Sequence, residues 1–412
     1  MFLFLIVEKK LIVVSMLGLN ILKIVATASV ILNLILVISL GSMINRMGLM
    51  AEKLAEYEAK WTEEPWSPPE GPGYLPPGTV ATRWSRHMVL VYIDARSYSD
   101  PNFMWSTERF KWLVAFIDDE SRIVDFLFDG FLIIGYVWKD GKSLLPLRDK
   151  SPSDKSDWEE FLKLQLRAGV KNLNDAIREV SQSLKATLYK AKLVLSIPYP
   201  DKRQSSFGEV DGRELNLGKT KDRVEAVKWF VDRALNFWSQ YQLNGTADKL
   251  ELIGFYWLHE QVESGDQDVI REVSRYLHEN GYLLFWIPWF MAPGVENWRE
   301  IGFDVVTMQP NYAFRDCGLD QFEKTAETCY RLGMGVEMEL PLYKRNPRIS
   351  DWKESFEAYM SAGVKYRFMR GSMLTYYYGN AFVTMATTSD LREYYEKIYW
   401  FVKGTYPNPP PS

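Results

Sequence analysis

The stretch LELIGFYWLHEQ, Leu250–Gln261, is where the fold can first be read. Its opening run, LELIGFYW, is apolar except at Glu251 and is short for a helix. A short run that is apolar on both faces is what a strand of a covered parallel sheet requires. The run then closes on Phe255, Tyr256, Trp257, His259 and Glu260. A strand that only built a wall would not need three aromatics, a histidine and a carboxylate at one end.

Seven similar runs flank it: MVLVYID (88–94), DFLFDGFLI (125–133), KLVLSIPY (192–199), YLLFWIPW (282–289), FDVVTMQP (303–310), GVEMEL (335–340) and KYRFMRG (365–371). Charge-rich amphipathic stretches lie between most of them, such as SDWEEFLKLQLRAGVKNLNDAIREVSQSLK and KDRVEAVKWFVDRALNFWSQYQ. Eight strands, each followed by a connection long enough for a crossover, predict an α/β protein of the (β/α)8 TIM-barrel type. A doubly wound open sheet is the alternative. The count of eight and the lack of a GxGxxG turn after the first strand argue against it.

The chain has 412 residues, and the segments before this pattern differ from it. Lys9, Lys10 and Lys23 precede an uncharged run, Ile24–Ile44, whose length matches a bilayer. Basic residues on its N-terminal side predict a single-pass membrane anchor with the rest outside the cell, although Arg46 weakens the bias. A cleaved signal peptide and a buried helix are the other readings, and Met16 is a second candidate start. GLMAEKLAEYEAKW then reads as a stalk helix, and Trp61–Thr82 as an extended spacer rich in proline (Pro65, Pro68, Pro69, Pro72, Pro76, Pro77). The expected organisation is an anchor at 1–46, stalk and linker at 47–82, barrel at 83–405 and tail at 406–412.

Composition narrows the partners. Net charge is −4, from 49 basic and 53 acidic residues, with no dense basic patch, so nucleic acid is not an expected partner. The three histidines (His87, His259, His278) and two cysteines (Cys317, Cys329) form no metal-ligand motif. No metal or cofactor is expected. The cysteines read either as one bridge or as two buried thiols. Aromatic residues make up 15 %, with 15 Trp and 23 Tyr, a composition that suits a core or a carbohydrate cleft equally.

Chemistry in such a barrel sits at the C-terminal strand ends. In chain order these carry Asp94 and Arg96; Asp129; Tyr199; Tyr256, Trp257, His259 and Glu260; Trp286 and Trp289; Gln309, Asn311 and Tyr312; Glu337 and Glu339; and Tyr376, Tyr377 and Tyr378. Glycoside hydrolysis needs two carboxyl groups, and aromatic faces pack on sugar rings. Barrel glycosidases that retain configuration place the acid/base after the fourth strand and the nucleophile at the end of the seventh. Glu260 and Glu339 occupy those places. Glu337 and Glu339 are two apart, so they face the same way; Glu339, nearer the strand end, is the better nucleophile, and Glu337 is expected to contact substrate. A separation of about 5 Å would mean retention and roughly 6.5–9.5 Å inversion. Each position also has a structural reading. Glu260 would then be the solvated start of a loop, Asp94 and Asp129 partners of Arg96, Trp286 and Trp289 core, and Gln309 and Asn311 turn residues.

The blocks FLFDGFLI, SIPYP…FG (Ser196–Gly208), LELIGFYWLHE, FWIPWF.A.G…W…GFD (Phe285–Asp304), QPNYAF (Gln309–Phe314) and GMGVEMEL resemble a family catalogued as a domain of unknown function, number 4855. The likeness runs from about His87 to Gly404. It implies a barrel related to glycoside hydrolases, found in secreted or surface proteins of bacteria and archaea. The roles of Glu260 and Glu339 come from barrel geometry, not from the family. The expectation is a membrane-anchored extracellular glycosidase acting on a glycan. The rival readings are a barrel that binds carbohydrate without cleaving it and a cell-envelope scaffold.

Overall fold

The computed structural model describes residues 40–41 and 66–407. Apart from Leu40 and Gly41, the run Ile24–Ile44 lies outside them, as do the stalk and the tail from Asn408. Among the described residues no helix is long and apolar enough to cross a membrane.

Eight parallel strands close into a barrel, each beside its neighbour in sequence and the last beside the first. They are β1 His87–Tyr92, β2 Gly130–Ile134, β3 Ala191–Ile197, β4 Leu250–Trp257, β5 Leu283–Trp286, β6 Val305–Met308, β7 Gly335–Glu339 and β8 Leu374–Tyr377. The stretch LELIGFYW is β4 to the residue. Every residue of β1, β2, β6 and β7 is buried, as expected of strands covered by helices outside and side chains inside. The helices between them are α1 Thr107–Val114, α2 Lys155–Leu164, α3 Lys171–Ser183, α4 Thr220–Leu243, α5 Asp266–Glu279, α6 Trp298–Ile301, α7 Asp320–Leu332, α8 Trp352–Lys365, α9 Phe368–Gly371, α10 Gly379–Thr387 and α11 Arg392–Val402. A π-helical turn, Gln165–Val170, joins α2 to α3. It brings Gly169 flush against the wall, where a Cβ would meet Ile133 Cδ1 at 2.5 Å.

The eighth strand is not at 365–371. That stretch is the end of α8, a left-handed residue at Arg367 (φ 62°) and the short α9. Its alternating charges mimic a strand period, but Phe368 packs edge-on against Tyr74 instead of joining the wall. The true β8, LTYY, follows three residues later.

The second strand also begins later than its apolar run. Ile123–Phe126 pairs antiparallel with Ala115–Ile117 in a separate ribbon, and Asp129 precedes β2. Its carboxylate accepts from Ser85 Oγ and the amides of Arg86 and His87 at the N-terminal end of the barrel.

Residues 66–82 were expected to be spacer, yet much of this stretch packs on that same end. Trp66, Tyr74 and Leu75 are buried. Tyr74 Oη donates to Tyr366 O at 2.8 Å. Leu75 donates to Met334 O and accepts from Met373 N, just ahead of β7 and β8. This strap packs its aromatic side chains on Tyr330, Tyr366 and Phe368, beside the N-terminal ends of β7 and β8. Both cysteines are free thiols, Cys329 buried and Cys317 half-buried.

Candidate active site

At the C-terminal mouth a cavity of about 630 Å³ opens. Strand alternation decides which residues reach it. From β7, Glu337 and Glu339 point in, while Val336 and Met338 point to the helix layer. From β4, Tyr256 points in and Trp257 out. Tyr92 of β1 and Tyr377 of β8 complete the inner wall.

Glu339 is buried and well supplied with donors. Its Oε2 accepts from the Asn311 amide at 2.5 Å and from the Tyr359 hydroxyl of α8, and its Oε1 from Asn311 Nδ2 at 3.3 Å. Asn311 can serve it twice because its backbone is left-handed (φ 62°), a conformation asparagine tolerates. Asn311 Oδ1 is fixed in turn by Phe290 N, and its Nδ2 also reaches Gln309 Oε1. Burial raises the Glu339 carboxyl to about 7; Tyr359 and Asn311 restrain that rise, and Glu260 adds to it.

Glu337, equally buried, has no hydrogen-bond partner for Oε1 among the described residues. Burial first, then the charges of Glu339 and Glu260, push it well above the usual carboxylate range. The rise favours its protonated form.

Glu260, three residues past β4, is half-buried at the opposite wall. Tyr136 Oη donates to its Oε1 at 2.8 Å. Burial raises its pKa against the pull of Tyr136, Gln309 and Arg315. Gln309 thus touches both sides, Glu260 directly and Glu339 through Asn311. The result is a carboxyl with one tyrosine donor across a cavity from one that meets three donors.

Of the positions expected at the mouth, Arg96, Tyr256, Glu260, Trp289, Gln309, Asn311, Glu337, Glu339 and Tyr377 line the cavity. Asp94 lies at this end but behind it. Fully buried, it holds Arg96 by two ion-pair contacts at 2.9 and 2.6 Å and accepts from Tyr136 N. Asp129 is at the wrong end, as described. Tyr199 donates to Asp266 and packs against Trp257 and His259, all outside the wall. Trp286 stacks on Phe303 at 4.6 Å and donates to His259 O, so it is core. Tyr312 packs on Phe322, and Tyr376 bonds His87 Nδ1 at 2.8 Å. None of these line the cavity.

Tyr378, expected beside Tyr377, lines it too; sequence reading missed Tyr136, Phe314, Arg315, Tyr343 and Arg345, which also line it, and Tyr359, which reaches Glu339 from α8. All but Tyr359 sit on connections beyond strand ends. Counting a few residues further past each end would have found Tyr136, Phe314 and Arg315.

A closed parallel barrel with its polar cluster at the C-terminal mouth defines a (β/α)8 protein. The chain belongs to the family described as Domain of unknown function (DUF4855), which it matches over residues 87–400. No curated protein matches it. Among solved structures it is similar to a candidate α-L-fucosidase from Bacteroides thetaiotaomicron, at 14 % identity over 81 % of this chain and 98 % of that one, with a TM-score of 0.41. A family 18 chitinase from Crocus vernus aligns at 12 % identity over 76 % and 99 %, TM-score 0.38. The tryptophan synthase α-subunit of Pyrococcus furiosus aligns at 12 % over 80 % and 99 %, TM-score 0.35. Likenesses this distant transfer neither substrate nor residue roles.

Proposed function

We propose that this cavity hydrolyses glycosidic bonds, with Glu260 as the proton donor and Glu339 as the group that attacks the sugar or activates water. The observation that carries the reading is the pairing of Glu260 and Glu339 across one aromatic cavity in unlike settings. Burial raises the Glu260 carboxyl above its ordinary value, against Tyr136, Gln309 and Arg315, which suits a proton donor. It can pass a proton to the leaving oxygen. Glu339 meets three donors, which favour its anion and hold it in place. Glu337, whose protonated form burial favours, is placed to offer an O–H to a sugar hydroxyl. Tyr256, Trp289 and Tyr377 supply the flat faces that sugar rings pack on.

The test is hydrolysis of a panel of aryl glycosides and glycans by the full chain, with Glu260→Ala and Glu339→Ala beside it. Two variants that keep wild-type rates on a substrate the wild type cleaves would overturn the assignment. The product anomer read by NMR distinguishes retention from inversion.

The tether is part of the same proposal. Ile24–Ile44 is uncharged and of bilayer length with lysines ahead of it, which supports a barrel held outside the cell. Protease added to intact cells should then remove the barrel; complete protection would refute it.

A further inference from the structure

The rim above the carboxyls carries two arginines that no ion pair among the described residues neutralises. Arg315, after β6, and Arg345, after β7, both line the cavity. Neither makes an ion-pair contact with a carboxylate among the described residues. The acids that follow Arg315 in sequence are taken: Asp316 pairs with Arg348 at 2.5 Å, and Asp320 with Lys324 at 2.7 Å. The third cavity arginine, Arg96, is neutralised by Asp94.

Both free guanidiniums are nonetheless held. Arg315 lies over the Trp289 ring, 4.8 Å from its centroid, and Arg345 over Tyr343 at 5.3 Å. Stacking uses the face of a guanidinium and leaves its N–H edge available. The loops that carry them are clamped together by Asn346, which is fully buried. It donates from its backbone to Ala313 O and from Nδ2 to Tyr312 O and Cys317 O. Tyr343 is tied to the wall through Tyr377, hydroxyl to hydroxyl at 2.8 Å.

Balancing the carboxyls below would be the simpler use of this charge. Arg315 does act on Glu260, but Arg345 has no part in holding either Glu260 or Glu337. A stacked, fixed, unpaired guanidinium pair at a substrate cavity suits planar or tetrahedral oxyanions, which it meets with two N–H bonds at once.

We propose that Arg315 and Arg345 form a subsite for an anionic group of the glycan, a uronic-acid carboxylate or a sulfate ester. This rests on the hydrolase reading of the same cavity, and its test separates the two. Titration calorimetry on the full chain carrying Glu339→Gln would compare oligosaccharides of equal length: oligogalacturonide and oligoglucuronate, a sulfated galactan without uronic acid, and a neutral galactan. The expected result is binding of one anionic class at least tenfold tighter than the neutral one, a preference that shrinks as salt rises. The arm that binds says which oxyanion is meant. Arg315→Ala/Arg345→Ala, with an unchanged melting temperature, should erase the preference, and Arg315→Lys/Arg345→Lys should restore only part of it. Equal binding of neutral and anionic chains, no binding of any anionic chain, or a preference that survives the double substitution would overturn the subsite. Turnover is read separately with Glu339 intact. Anion preference without any turnover leaves the subsite standing and removes the hydrolase; cleavage with no preference for anionic over neutral chains, in the wild type and in Arg345→Ala alike, does the reverse.

Discussion

At the strapped end of the barrel Asp129 accepts from Ser85 Oγ and two backbone amides. At the open end Glu339 accepts from Asn311 and Tyr359, while Glu337, two residues before it, leaves Oε1 without a partner. Burial raises the pKa of all three carboxyls. What differs is what surrounds them. Asp129 is held by the turn that enters β1 and does not line the cavity at the open end. The other two face a space of about 630 Å³. A buried carboxyl alone is therefore a poor sign of a site. A buried carboxyl that is short of partners and borders a void is a better one.

The sharpest way to break this contrast is to remove Glu339. Glu339→Ala should lower the hydrolysis rate by about 10⁴-fold or more, as loss of a reacting group does. The measurement is turnover of any substrate the wild type cleaves.

Glu260→Ala comes next and depends on the substrate. Loss of a proton donor costs about 10²–10⁴-fold where the leaving group needs a proton. Aryl glycosides with acidic leaving groups should be nearly spared, and azide should speed the variant. A uniform loss across leaving groups would exclude Glu260 as the donor.

Asp129→Ala should show the opposite profile. It leaves two amides and a hydroxyl without their acceptor, at a cost of about 1–2 kcal/mol given its partial exposure. Urea unfolding should report that loss, while turnover of the folded protein stays within about twofold. A large kinetic defect would bring the strapped end into the chemistry.

The smallest effects concern pH. Glu339 titrates at about 7 in the fold against 4.5 in a free chain. Between those values the folded protein binds more protons than the unfolded one, so stability falls as pH rises from 4.5 through 7. The melting temperature of Glu339→Gln should fall less across that window. Kinetically, the acidic limb of the pH–rate profile should lie near 7. Glu260 contributes to the raised Glu339 value, so Glu260→Gln should move that limb to lower pH on an activated aryl glycoside. An unmoved limb would mean that the two groups do not sense each other.

Much of the open end was legible because strand physics is local. LELIGFYW gave β4 to the residue, and the spacing of Glu337 and Glu339 gave two carboxyls on one face. The same alternation, applied more strictly, separates Tyr256 from Trp257: one lines the cavity, the other backs onto Tyr199. Asp129 was misplaced because an apolar run joined a ribbon strand, a turn and β2 into one segment. Tyr359 was not legible at all, since it meets Glu339 from a helix 20 positions later. The arginines of the rim gave no periodic signal; only the clamped loops bring them over the cavity.

The strap has a consequence for the order in which the molecule can be assembled. Tyr74 meets Tyr366 across 292 positions of chain. Leu75 finds its two backbone partners only at Met334 and Met373. On a ribosome these first residues emerge with nothing to bind until the last quarter of the domain has followed them. Closing so long a loop carries an entropic cost that local helices and neighbouring strands do not meet. The strap is thus a late fastening, and a shortened gene product beginning at residue 83 would lose it. Such a product would expose Met334, Met373 and the ring of Tyr366, and its yield as soluble protein should fall before its chemistry does.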